Sequence, residues 1–356
     1  MEWDVLELLK KVVDNKASDL HITAGVPPIL RVDGKLVPTD YPMLKPEDTE
    51  KIAHFIVGDG KRWEQFLRDN ELDLSLGIPE AGRFRVNVYR QRGSCGVALR
   101  ALSYIIPSME ELHLPKDTLV KLAALPRGLI LVTGPTGSGK STSLASIIDH
   151  INNTRACHIV TIEDPIEYLH THKKSIINQR EIGTDTYSFE NALVHVLRQD
   201  PDVILIGEMR NLETISIALT AAETGHLVLA TLHTDNAPTT IDRIIDICPP
   251  HQQQQVRIQL AGALQGIMSQ QLLPRANSSG RIPAIEVMLA NNAIRNLIRE
   301  GKSHQIYTVM QTSLSEGMIT MDRALFDLYR KGLITWEEAF DHAIDQKEFK
   351  LWRNRS

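Results

Sequence analysis

Residues 128–141 read GLILVTGPTGSGKS, an uncharged run of strand length that ends in the spacing Gly-x-x-x-x-Gly-Lys-Ser. The following STSLASIIDHINN has the composition of a helix. A strand that delivers the chain into a glycine-rich loop and leaves it through a helix is the arrangement that cradles phosphate. Glycines let backbone N–H groups turn inward, and the start of the helix adds its positive end. The bare spacing arises by chance in roughly one chain in a hundred of this length, and the flanking strand and helix lower that further. Gly134, Pro135, Thr136, Gly137, Ser138, Gly139, Lys140, Ser141 and Thr142 are therefore expected to hold a nucleoside triphosphate. In such a loop Lys140 reaches the β- and γ-phosphates, and the Ser141 hydroxyl ligates Mg²⁺.

Outward from this loop, CHIVTIEDP (157–165), DVILIGE (202–208) and LVLATLHT (227–234) are apolar runs of strand length, each ending in polar residues. Asn211 can cap a helix that runs through Thr224 and stops at Gly225. Strands alternating with helices predict a mostly parallel sheet that binds ligands beyond the carboxyl ends of its strands. Glu163 and Glu208 fall at such ends, with Asp164 and Glu167 close behind Glu163. An acid on a strand next to the loop strand is the usual place for the Mg²⁺ shell and for orienting the attacking water. We expect Glu208 to organise the metal shell, partly through water, and Glu163 to position that water; the two roles could be exchanged. His226 and His233 lie on opposite faces of a strand and roughly 23 Å apart, too far to share a metal ion. His233, at the carboxyl end, can instead contact the γ-phosphate or the acids. For His226, packing or a turn hydrogen bond is weighed equally with a functional role.

The first third is mixed α/β. MEWDVLELLKKVVDNKASDL breaks its apolar positions with charges, as an amphipathic helix does and a signal peptide does not. ILRVDGKLVP places Asp33–Gly34 between two short strand-prone runs, a hairpin signal. In GRFRVNVYRQRGSCGVALRAL (82–102), alternation puts Arg83, Arg85 and Asn87 on one face and Phe84, Val86 and Val88 on the other. Prolines 107, 115 and 126 punctuate a connector, so the domains are drawn as 1–102, a linker over 103–116, a core over 117–290 and a helical region over 291–356 with breaks at Gly301, Gly317 and Gly332. The tail around Lys350, Arg353 and Arg355 reads as a solvated end, and Gln252–Gln255 as a solvated helix face. A net charge of -5 gives no overall basic field for nucleic acid or an anionic bilayer. Three well-separated cysteines form neither a zinc pattern nor a disulfide framework. No run approaches the roughly 20 apolar residues needed to span a bilayer, so a cytoplasmic protein is expected.

In this order, GPTGSGKS, the acidic box TIEDPIE, the segment ILIGEMR, the histidine box GHLVLATLHT and SDLH near the start resemble the secretion ATPases of type II and type IV systems. NNAIRNLIRE (291–300) is similar to the C-terminal signature of the pilus-retraction branch of that family, although VRIQLAGALQGIMSQQLLP upstream departs from that branch's commoner wording. The resemblance implies a PAS-like α+β domain followed by a RecA-like P-loop ATPase domain with a helical C-terminal extension. It also implies ATP with Mg²⁺, a homo-hexamer docked on an inner-membrane platform protein, and hydrolysis that drives pilin subunits out of a fibre. Arginines of the PAS-like domain in this family reach a neighbouring subunit's nucleotide, which makes Arg83, Arg85 and Arg100 the candidates here. The signature itself reads on a helical wheel as an apolar stripe of Ala293, Ile294, Leu297 and Ile298, with Arg295 and Arg299 together opposite. Two other functions share parts of this pattern. An assembly ATPase commonly carries paired CxxC motifs, which this sequence lacks. A DNA-translocating ring calls for a basic, aromatic-lined stripe, also lacking.

Overall fold

The computed structural model describes residues 3–32, 34–78, 82–102, 105–277 and 280–353. It divides into two compact units, Met1–Ile105 with Glu167–Leu169, and Ile106–Ile166 with His170–Ser356.

The first unit is a six-stranded antiparallel sheet with helices. Its strands are β1 (Asp19–Ile22), β2 (Ile29–Val32), β3 (Lys35–Pro38), β4 (Glu71–Ile78), β5 (Gly82–Gln91) and β6 (Ser94–Leu102), in the order β3-β2-β1-β6-β5-β4. Helix α1 (Val5–Asp14) buries Leu8, Leu9 and Val12, and the Asp4 carboxylate accepts the Glu7 N–H at its start, as its amphipathic sequence requires. Helices α2 (Pro46–Val57) and α3 (Lys61–Asp69) add Ile52, Ile56 and Phe66 to the same core. Alternation in β5 is as expected: Phe84, Val86 and Val88 are fully buried, while Arg85 is exposed on the other face and pairs across the ladder with Arg100 of β6. Asp33 of the expected hairpin turn lies outside the described residues; Val32 and Lys35 on either side of it are paired.

The second unit is built on a seven-stranded sheet of β7 (Gly128–Thr133), β8 (His158–Glu163), β9 (Ile176–Glu181), β10 (Val203–Ile206), β11 (Leu227–Leu232), β12 (Leu264–Pro274) and β13 (Arg281–Leu289). The order is β13-β12-β7-β11-β10-β8-β9, and every pair is parallel except β12 with β13. Strands β7, β10 and β11 are buried at every position because helices cover both faces. Leu129 and Leu131 pack with α6 (Phe189–Val196), α7 (Leu212–Thr224), α8 (Ala237–Asp246), α9 (Pro250–Ala263) and α10 (Asn292–Glu300). Ile130 and Val132 pack with α4 (Lys116–Ala123) and α5 (Lys140–Thr154) on the opposite face. Helix α7 starts at Asn211, whose side chain accepts the Thr214 N–H, and ends at Gly225, as its sequence predicts.

Where a connector is expected over 103–116, Ser103 and Tyr104 lie outside the described residues. Met109 and Leu114 further on are buried in the core beneath α4, since apolar side chains between prolines still gain by leaving water. The C-terminal region is helical: α11 (Ile306–Thr312), α12 (Met321–Arg330), α13 (Trp336–Asp341) and α14 (Gln346–Arg353) follow α10. Gly301 closes α10 at φ 68°, a conformation that costs an L-residue with a Cβ.

Two sequence expectations for this region are modified. The tail is exposed, as a solvated end is, but it is not without contacts: Lys350 lies 5.0 Å over the Phe340 ring and Arg353 4.6 Å over Trp336, because Phe326, Trp336, Phe349 and Trp352 form an aromatic cluster whose ring faces attract cations. Arg355 lies outside the described residues. In the 291–300 signature, Ile294 and Ile298 are buried but Ala293 is exposed. Arg295 does not stand in solvent with Arg299; it donates to the carbonyls of Ala261 and Gly262 at 2.5 and 2.9 Å and to Gln265. The last carbonyls of α9 lack helical partners, and a guanidinium satisfies them. Among the described residues no helix is long and apolar enough to cross a membrane.

Candidate active site

Strand β7 ends at Thr133, and the chain turns at Gly134 with φ 142°. A Cβ there would come within 2.2 Å of the Gln270 carbonyl oxygen, so glycine is required by contact as well as by conformation. Gly137 and Gly139 also have positive φ, and a Cβ on Gly137 would meet nothing within 4 Å, which marks the open side of the loop. Pro135, Thr136 and Gly137 form its exposed rim. Helix α5 begins at Lys140, and Gly139 before it has no side chain with which to cap the helix start. The Ser138 hydroxyl is buried with no hydrogen-bond partner among the described residues. A helix start led by glycine, an orphaned hydroxyl and a glycine cradle fit a polyphosphate, which accepts hydrogen bonds there.

Lys140 is buried, and its ammonium donates to the carbonyls of Gly134 and Pro135 at 2.8 and 2.9 Å and lies 3.3 Å from His233 Nδ1. His233 follows the end of β11, the strand next to β7. Its Nε2 lies 3.3 Å from Glu208 Oε1, and Glu208 Oε2 accepts from Arg210 Nε at 2.7 Å. An ammonium has only protons to give, so Nδ1 accepts and Nε2 carries the hydrogen that faces Glu208. Lys140, His233, Glu208 and Arg210 thus form one line from the loop across the strand ends.

Glu163 stands elsewhere. The expectation that both acids lie on strands next to the loop strand is contradicted by the strand order: β11 separates β10 from β7, and β11 and β10 both separate β8 from it. Adjacent strands are about 4.8 Å apart, which puts the end of β8 about 14 Å across the sheet from β7. Apolar periodicity reports burial and says nothing about which strand pairs with which. Glu163 Oε1 accepts from the Thr161 hydroxyl at 2.6 Å and from Gln179 Nε2 at 3.2 Å. Thr161 and Gln179 face each other on β8 and β9, so this support is part of the sheet itself. His226 hydrogen-bonds through Nδ1 to the Ala221 carbonyl, the turn bond that was one of its two readings.

Gln270 on β12 was missed by sequence reasoning. Its Nε2 donates to the Ser138 carbonyl at 2.5 Å and its Oε1 accepts from the Ser143 hydroxyl at 2.8 Å, so one buried amide holds both the loop and the first turn of α5. Beside it, the Thr133 and Ser269 hydroxyls share a 2.8 Å bond. The signal was present: Ser269, Gln270 and Gln271 stand between the apolar pairs Ile267–Met268 and Leu272–Leu273. For the expected metal, the residues offer the Ser141 hydroxyl and the Glu208 carboxylate. That donor set suits Mg²⁺, which takes one or two protein oxygens and completes its shell with phosphate and water.

In the first unit, Arg83 and Arg85 lie on β5 as expected. Arg100 Nε donates to Asp19 Oδ1 at 3.0 Å, and Arg31 lies 3.7 Å from Oδ2. Burial alone would raise the Asp19 carboxyl, but the Ser18 hydroxyl and the Arg100 guanidinium outweigh it, and the net shift is downward. The SDLH stretch therefore supplies the acid that holds Arg100 in place.

The chain matches the family described as Type II/IV secretion system protein over residues 2–340. It is 47% identical over 348 residues to the type IV pilus retraction ATPase PilT of Pseudomonas aeruginosa, covering 97% of this chain and all of that one. It is 45% identical over 337 residues to a twitching motility protein of Neisseria gonorrhoeae, covering 95% and 90%. A crystal structure of the pilus retraction motor PilT with bound ADP superposes with a TM-score of 0.91 at 52% identity, covering 98% of this chain and 100% of that one.

Proposed function

The chain belongs to the Type II/IV secretion system protein family, and from that premise we propose that it hydrolyses ATP to draw pilin subunits out of a type IV pilus. The observation that carries the reading is the end-to-end match, with both units included, to relatives named for pilus retraction and twitching motility. In this reading the β- and γ-phosphates lie over the N–H groups at the start of α5, and Lys140 turns from the Gly134 and Pro135 carbonyls to the phosphates. Ser141 and, partly through water, Glu208 would hold Mg²⁺, which would neutralise phosphate charge there. Glu163, steadied by Thr161 and Gln179, positions the attacking water, and His233 senses the γ-phosphate through Lys140 and Glu208. Arg83, Arg85 and Arg100 act on a neighbouring subunit's nucleotide within a homo-hexamer, which docks at the cytoplasmic side of the inner membrane on a pilus platform protein.

Two experiments test this. In purified protein, Glu163→Gln and Glu208→Gln each abolish single-turnover phosphate release while ATP still binds; normal release in either removes that residue from the chemistry. In a piliated host, deletion of the gene leaves hyperpiliated, immotile cells. Bald cells would assign the chain to pilus assembly instead.

A further inference from the structure

Glu286, in the middle of β13, is a fully buried carboxylate. Its Oε1 accepts the Ala237 N–H at 2.7 Å and its Oε2 accepts the Met321 N–H at 3.1 Å. Ala237 is the first residue of α8, four residues beyond His233; Met321 is the first residue of α12. One carboxylate therefore closes the starts of two helices, one leading from the catalytic strand ends and one opening the C-terminal helical region.

The residue type follows from the partners. Two backbone donors arriving from two helices need two acceptors, and a carboxylate has two with no hydrogen of its own. Glutamine would turn an NH₂ group toward one of the N–H groups. Burial pushes the Glu286 carboxyl up to about 7, against the pull of the Ala237 and Met321 N–H groups and with a further upward push from Asp322. The acid is thus an expensive choice for a site that needed only packing.

Polar contacts continue on both sides. In the sheet register, Ser269 lies opposite Glu286 and Thr133 opposite Ser269, three fully buried polar residues in a row that ends at the residue before Gly134. Beyond Met321, buried Asp322 accepts the Ile344 and Asp345 N–H groups at 2.7 and 3.0 Å and the Tyr307 hydroxyl at 3.1 Å. Hydrogen bonds, joined through the Met321–Asp322 backbone, therefore connect the turn after His233 through Glu286 to α11, α12 and the turn before α14.

We propose that Glu286 is a positioning residue that ties the His233 turn to the C-terminal helices, so that nucleotide at the loop changes the stability of the first turn of α12. The inference rests on the nucleotide reading given above. It requires that any shift of α8 on nucleotide binding be felt at Met321, because both helix starts share one planar group. The tie also holds His233 in reach of Lys140 and Glu208, so loss of Glu286 acts on turnover more than on ATP binding.

Hydrogen–deuterium exchange on the full chain, with and without ADP, tests this. In the wild type, ADP slows exchange over residues 137–142, 237–240 and 321–324, the last by about tenfold. In Glu286→Gln the slowing at 137–142 persists and that at 321–324 is lost, while kcat falls roughly tenfold with KM for ATP within about twofold. Should that variant not fold, Glu286→Asp, one methylene shorter, reaches one helix start and not both, and gives the same loss. Slowing at 137–142 with none at 321–324 in the wild type overturns the inference alone, as does slowing at 321–324 that survives both substitutions. No slowing at 137–142 in the wild type overturns the nucleotide reading, and the inference falls with it.

Discussion

The antiparallel sheet of the first unit leaves Arg85 of β5 exposed and its neighbours Arg83 and Asn87 half-buried, whereas strands β7, β10 and β11 of the second are buried on both sides. In the first, chemistry is laid out along the strands: every second residue of β5 is free to be polar, and Arg83 and Arg85 follow from alternation alone. In the second, strand interiors are given over to Leu, Ile and Val, so chemistry is confined to the carboxyl ends of the strands. Polar groups inside, among them Thr133, Ser269, Gln270 and Glu286, are held by specific hydrogen bonds. A wet face can be altered with little cost to folding, while a strand end or a buried polar group cannot.

The largest expected effect is on the wet face. If its arginines act in trans, ATPase activity per subunit rises with protein concentration, and Arg85→Ala lowers activity at high concentration by roughly 10³ while leaving the melting temperature nearly unchanged. Activity that does not depend on concentration would reduce that face to a solvated surface. At the strand ends, Lys140→Ala lowers phosphate release by roughly 10² to 10³. Here the contrast sharpens: buried Lys140 also bonds two loop carbonyls, so its loss should lower stability where loss of Arg85 does not.

A third effect comes from His170, between β8 and β9, whose burial pushes its pKa down to about 4. The unfolded chain takes up this proton near pH 6.5 and the folded chain only near pH 4. The contribution is therefore fully present above pH 6.5 and lost as pH falls through that window, by at most about 3 kcal/mol. Glu286 titrates in the opposite sense: its raised folded pKa makes the native state less stable as pH rises from about 4.5 to 7. Denaturant unfolding between pH 4 and 7 should show a shallower acid loss in His170→Gln than in the wild type. The smallest effect expected is for Gln270→Leu, which leaves the Ser138 carbonyl and Ser143 hydroxyl without this partner and costs about 2 kcal/mol, read as a lower unfolding midpoint together with weaker nucleotide binding.

Much of this was legible in the sequence, for reasons that differ between the sheets. The loop 134–142 was readable because its function constrains consecutive residues, and β5 because a half-buried strand alternates. Asn211 and Gly225 marked α7 because helix ends need particular side chains. Strand order was not readable, and it is what separates Glu163 from the line through Lys140, His233 and Glu208. Arg295 was misjudged because a helical wheel shows which face a residue occupies and not that the end of α9 waits beside it. The aromatic cluster around Trp336 and Phe349 escaped notice because its members are spread over three helices, as did Glu286, whose partners are backbone groups far along the chain.

The central claim is that a triphosphate lies on the Gly134–Thr142 loop and is read out across the strand ends through Lys140, His233 and Glu208. A crystal structure with a non-hydrolysable ATP analogue tests it most directly. The account predicts phosphate oxygens on the N–H groups at the start of α5, with the Lys140 ammonium moved from the Gly134 and Pro135 carbonyls onto the β- and γ-phosphates. An analogue bound elsewhere, with Lys140 still on those two carbonyls, would contradict it.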